Sequence, residues 1–158
     1  MHKSIKKFCF LLGGTLLFAI AIHAQDKQNQ IKDAIESKQY VFHAQTAMPL
    51  SGGARQLTTD YELKVTGNSV VSALPFFGRA YSLPYGTNDG GFNFTSTKFD
   101  YSVSPQKKGG WDISIKPTDV QDFKEFSLSV SRGGYGTLQV ISNNRQPISF
   151  SGYVSPLK

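Results

Sequence analysis

The chain has 158 residues, with 17 Lys+Arg against 11 Asp+Glu for a formal charge of +6, and 12 Phe, seven Tyr, one Trp and one Cys. That length builds one domain with a substantial core. A single cysteine excludes a disulfide framework, and beyond residue 24 only Lys107-Lys108 are adjacent bases, which excludes the clustered footprint of a nucleic-acid binder.

Residues Met1 to Ala24 read as a secretory signal peptide. Lys3, Lys6 and Lys7 give a positive start, Phe8 to Ile22 is almost wholly apolar, and Ala24 offers a small residue at the cut. Ile22-His23-Ala24 is an imperfect cleavage site because Ile22 is not small. The run is shorter than the roughly 20 residues that cross a bilayer as a helix, and no second apolar segment follows. No transmembrane span is therefore expected after cleavage, which leaves Gln25 first. Cys9 stands at the start of the apolar run, not at its end, so no lipoprotein anchor is expected. With the leader's three lysines set aside, 14 bases against 11 acids leave +3. That charge tolerates an anionic glycan or membrane surface but does not require one.

Residues 25–39 form the next unit. Ile31, Ala34 and Ile35 fall at i, i+3 and i+4, so a short amphipathic helix over Asp26 to Lys38 is expected to dock one narrow stripe. From residue 40 to 158 a single β domain is expected. Tyr61, Leu63 and Val65 alternate with polar residues, as do Phe99, Tyr101 and Val103; Trp111, Ile113 and Ile115; Phe126, Leu128 and Val130; and Ile148, Phe150 and Gly152. Each run is a strand with one buried and one wet face, the mark of an antiparallel sheet. Gly67-Asn68, Asn88-Asp89-Gly90-Gly91, Lys108-Gly109-Gly110, Gly133-Gly134 and Asn143-Asn144 supply turns. The expectation is a mainly β fold: an antiparallel meander of about eight strands closing toward a barrel, or a two-sheet sandwich. Leu63, Val65, Tyr101, Val103, Trp111, Ile113, Leu128, Val130 and Phe150 are its expected core.

Groups that carry chemistry are sparse. Asp60 and Glu62 share a strand face with Lys64, which reads as a solvated face rather than an acid/base pair. Asp119, Asp122 and Glu125 fall in a polar connector. Only His43 remains beyond the leader, so a multi-histidine metal site is excluded, and a serine triad would have to use His43. No G-x-S-x-G elbow or phosphate-binding loop is present. No catalytic residue, metal or cofactor is expected.

Strand patterning breaks at Leu74-Pro75-Phe76-Phe77-Gly78-Arg79-Ala80-Tyr81-Ser82-Leu83-Pro84-Tyr85-Gly86. Two prolines restrict ladder pairing here, and four aromatics surround one arginine. Phe77, Arg79, Tyr81 and Tyr85 are the candidate ligand-binding residues. Alternation puts Phe77, Arg79 and Tyr81 on one face, and planar guanidinium and phenol groups suit a glycan or peptide. The competing reading is structural: Phe76 and Phe77 plug the core while Arg79 satisfies backbone carbonyls.

Residues 74–81, together with Asn144-Arg145-Gln146-Pro147-Ile148-Ser149-Phe150-Ser151-Gly152, resemble a family of small secreted proteins of Bacteroides-type bacteria, catalogued as a domain of unknown function. The resemblance runs from about Phe42 to Val154. It implies a Gram-negative envelope or secreted location, and no activity, ligand or catalytic residue. The expectation is an exported, periplasmic or secreted protein, a non-enzymatic binding or structural module for an envelope glycan, peptide or protein. A barrel-type carrier of a small apolar ligand is the alternative, and a carboxylate-based glycan hydrolase the third reading.

Overall fold

A computed structural model describes residues 25–81, 90–121 and 123–157. The leader, residues 1–24, lies outside the described residues. Residues 25–36 form a helix, α1. Nine strands follow: β1 (Tyr40–Pro49), β2 (Arg55–Val65), β3 (Val70–Leu74), β4 (Phe92–Ser96), β5 (Phe99–Pro105), β6 (Trp111–Pro117), β7 (Phe123–Val130), β8 (Tyr135–Ser142) and β9 (Ile148–Pro156). No helix among the described residues is long and apolar enough to cross a membrane.

The strands make one sheet in the order β4-β3-β2-β1-β9-β8-β7-β6-β5, antiparallel throughout. It is a meander in which the last strand returns to the first, a nearly closed barrel. The open seam lies between β4 and β5, and the pairing directions require these two strands to run the same way. Only Thr97 and Lys98 separate them, so they are two halves of one bent strand. Its first half pairs with β3 and its second with β6. Counted so, the ring has eight members, an even number that lets every neighbour be antiparallel.

The bend is held from across the seam. Asp119, after β6, accepts hydrogen bonds from the Thr97 N–H at 2.9 Å, the Lys98 N–H at 3.2 Å and the Ser96 hydroxyl. The Ser96 bond, then the Thr97 bond, hold the Asp119 carboxyl below its usual pKa. Thr118 N–H donates to the Lys98 carbonyl at 2.8 Å. The connector carboxylate is therefore a clamp on the seam.

Inward positions carry the core. Leu63, Val65, Ile113, Leu128, Val130 and Phe150 are buried as expected, beside Tyr40, Phe42, Leu138 and Val140. Tyr101, Val103 and Trp111 are only half-buried, which corrects the expectation. Tyr101 and Val103 lie on β5, an edge beside the seam, and Trp111 pairs with β5 at the Pro105 end, so this side has less cover.

Helix α1 docks its stripe as the spacing requires: Ile31, Ala34 and Ile35 are all buried. Burying the two isoleucines contributes about 3–6 kcal/mol. The helix stops where Lys38 takes φ 55°, with Gln39 N–H on Ala34 O at 2.8 Å and Lys38 N–H on Ile35 O at 3.2 Å. These two bonds satisfy carbonyls that a helix end leaves open. The Tyr101 hydroxyl then ties the helix to the barrel, donating to Ile35 O at 3.0 Å.

Candidate functional site

The two sequence motifs meet at one end of the barrel. After β3 the chain runs beside the β8–β9 turn: Tyr81 N–H donates to Asn144 O at 2.7 Å, Gln146 N–H to Arg79 O at 3.1 Å, and Arg79 N–H to the Gln146 side chain at 3.3 Å. Arg79 and Tyr81 are exposed, and Tyr81 has 71% of its surface free. Phe77 does not join them. It is half-buried against the core, with the Arg55 guanidinium 4.9 Å from its ring centre. Tyr85 lies outside the described residues. Phe76 does plug the core, edge-on to Phe92 at 5.5 Å. The arginine that satisfies backbone carbonyls is Arg145, which donates to Gly90 O at 3.0 Å and Gly91 O at 2.8 Å while lying over Phe76 and Phe92.

A second constellation lies on the outer face of β2, β1, β9 and β8. Strand alternation turns Phe42 and Ala44 inward and His43 outward, opposite Glu62 on β2 and Tyr153 on β9. His43 Nδ1 is 2.8 Å from Glu62 Oε1, and His43 Nε2 is 2.9 Å from Ser155 Oγ. The Tyr153 ring stacks on the imidazole, centroids 4.8 Å apart and planes 22° apart. A carboxylate only accepts, so Nδ1 carries a proton toward Glu62, and whenever the ring is in its neutral form Nε2 is the nitrogen left to accept from the serine hydroxyl. Glu62 is thus not a merely solvated strand residue, while Asp60 is exposed. The sequence singles out His43 as the one base available to a serine. It carries no sign of Ser155, which is 112 residues away.

Three shallow grooves join around this cluster, and Gln45 lines all of them. Gln45 is the extra residue of a β1 bulge between Ala44 and Thr46. One groove, about 380 Å³, lies between α1 and β9 and is lined by Lys27, Gln30, Tyr135, Tyr153 and Ser155. The second, about 470 Å³, crosses a band of Ser151, Thr137 and Ser129, paired strand to strand, with Gln106 beside it. The third, about 210 Å³, reaches His43 from the β2 side. Tyr135 and Tyr153 face each other across β8 and β9 and are 65% and 38% exposed. Lys27 Nζ lies 5.6 Å from the Tyr135 ring centre. No group of three or more His, Cys, Asp or Glu that could hold a metal occurs among the described residues.

A family model described as "Domain of unknown function (DUF4251)" matches residues 23–154. The chain belongs to the DUF4251 family. A crystal structure of a DUF4251 family protein from Bacteroides eggerthii is similar to it, with TM-score 0.59 and 19% identity over 82% of this chain and 87% of that one. At that identity the likeness is one of fold. The comparison with curated proteins found no match.

Proposed function

We propose that the protein is an exported module of the Gram-negative envelope that binds a glycan on the outer face of its barrel. The observation that carries this reading is the exposed Tyr135–Tyr153 pair beside a floor of hydroxyl and amide side chains. Tyrosine rings stack on the apolar faces of sugars, and Ser, Thr and Gln exchange hydrogen bonds with their hydroxyls. Lys27 and Gln30 at the rim add donors for acidic or acylated sugars. Export is supported by the charged start and apolar run of residues 1–24. The carrier reading has less support. The inward positions are taken by large side chains, among them Phe42, Phe126, Phe150 and Leu63, each fully buried.

Affinity electrophoresis through gels containing capsular polysaccharide, lipopolysaccharide or soluble peptidoglycan tests the proposal. Retardation by at least one is expected, weakened about tenfold in Tyr135→Ala/Tyr153→Ala, as loss of one or two stacked rings implies. Tyr81→Ala is the companion variant, because Arg79 and Tyr81 are the exposed remainder of the patch the sequence points to. Retardation lost in Tyr81→Ala and kept in the double variant moves the site to that end. No retardation by any glycan refutes the reading.

A further inference from the structure

We infer that Ser155, His43 and Glu62 form a serine esterase centre that removes acyl groups from the hydroxyls of a bound glycan. The inference rests on the glycan reading above for its substrate and on the side-chain geometry for its chemistry. A nucleophile, a base within hydrogen-bond reach of it, and a third group orienting the base form the recurring pattern of activated serines, recognised by geometry and not by chain order. Here the two links are 2.9 Å and 2.8 Å. The tautomer is the required one, because Glu62 claims the Nδ1 proton and leaves the Nε2 lone pair facing Ser155. Tyr153 holds the ring flat from one side. Ser155 opens on the groove of about 380 Å³ beside Lys27, Gln30 and Tyr135, so an acyl group on a sugar lying across the tyrosines reaches it.

The step balances without any further reactant but water. Ser155 Oγ adds to the ester carbonyl while its proton passes to His43 Nε2, and Glu62 stabilises the imidazolium. The tetrahedral adduct collapses by breaking the bond to the sugar oxygen, which takes the proton from Nε2. Water, deprotonated by His43, then cleaves the acyl-serine, releasing the carboxylic acid and restoring the hydroxyl. The side chains lining the groove beside Ser155 offer the Lys27 ammonium, the Gln30 and Gln45 amides and the Tyr135 and Tyr153 hydroxyls as hydrogen-bond donors. That favours an ester, whose carbonyl and leaving group need less help than those of an amide. Ser155 and His43 are the catalytic residues, and Glu62 is a positioning residue.

A fluorophosphonate probe, read by intact mass and peptide mapping, tests the centre without reference to the glycan. Labelling at Ser155 is expected, absent in Ser155→Ala and slowed at least tenfold in His43→Gln. Turnover of 4-nitrophenyl acetate and of O-acetylated polysaccharide should follow the same order. Glu62→Gln should lower kcat about 10²–10⁴-fold with KM little changed, a split that a purely structural role would not produce. Each variant is first shown to keep the parent's circular dichroism and urea midpoint. Should His43→Gln fail that check, Ser155→Ala alone, a loss of one half-exposed hydroxyl, decides the question. No label on Ser155, or ester turnover unchanged in Ser155→Ala, overturns the centre even where gel retardation persists. Labelled Ser155 with no release of acetate from any polysaccharide overturns the glycan ester as its substrate.

Discussion

Gly152 is where the β1 bulge and the barrel wall make their tightest demand. A Cβ built on it would lie 1.9 Å from the His43 carbonyl oxygen, 3.0 Å from the His43 carbonyl carbon and 3.2 Å from Ala44 Cα. Ordinary contact begins at 3.4 Å, so the clash with the oxygen is about 1.5 Å deep. Bond-angle strain does not absorb it: a bend of about 7° costs about 1 kcal/mol and moves Cβ by only about 0.2 Å. The two backbones must separate by more than about 1 Å, which stretches the adjacent ladder bonds past useful length. One or two buried backbone groups then lose partners at about 1–3 kcal/mol each, so Gly152→Ala should cost about 2–5 kcal/mol. Urea unfolding followed by fluorescence of the single tryptophan, Trp111, measures this at equilibrium. Gly67→Ala is the matched control, because the nearest atom to its added Cβ is the Gln39 side-chain nitrogen at 3.9 Å. There the smaller unfolded-state entropy of alanine should leave stability unchanged or raised by up to about 1 kcal/mol. A cost below about 1 kcal/mol at Gly152 would refute the register of β1 on β9. The same displacement moves the His43 backbone, so the variant should also lose the Ser155 reactivity inferred above.

Two further outcomes follow from titrating groups. Burial, then the nearby Tyr101, push the Tyr40 phenol well above its usual pKa, and burial raises Tyr101 as well. Their contribution to stability is complete below the unfolded value of about 10 and is lost as pH rises through the higher folded values. Thermal unfolding from pH 8 to 11.5 should show a steep fall that Tyr40→Phe makes shallower; equal slopes would exclude the pair as its cause. Asp119 has the opposite sign, since hydrogen bonds depress its folded pKa. Its contribution is present above about 4 and is lost as pH falls through the lower folded value. Asp119→Asn should flatten the urea midpoint between pH 5 and 2.5 and speed amide exchange at Thr97 and Lys98, and unchanged exchange there would remove the clamp.

The alternation of apolar and polar residues determined most of the fold by itself. In a strand the side-chain period is two whatever surrounds it, so Leu63, Ile113, Leu128 and Phe150 declared their inward face, as Ile31, Ala34 and Ile35 did at helical spacing. Period and turns could not decide between barrel and sandwich, because both present the same alternation. That was settled by β9 returning to β1 and by one strand bending at Thr97-Lys98 to belong to both edges of the seam. The half-burial of Tyr101, Val103 and Trp111 follows from that seam and is invisible in their own alternation. The motif segment was legible as a break in pattern. Which arginine would lie over the aromatics was not, since Arg145 reaches Phe76 and Phe92 only after the β8–β9 turn is brought alongside. The Ser155–His43–Glu62 contact lies furthest from the sequence. Its members sit on β9, β1 and β2; β1 and β2 are a hairpin, but β9 comes beside β1 only when the last strand returns to the first, and a hydrogen bond depends on separation in space, to which separation along the chain is no guide.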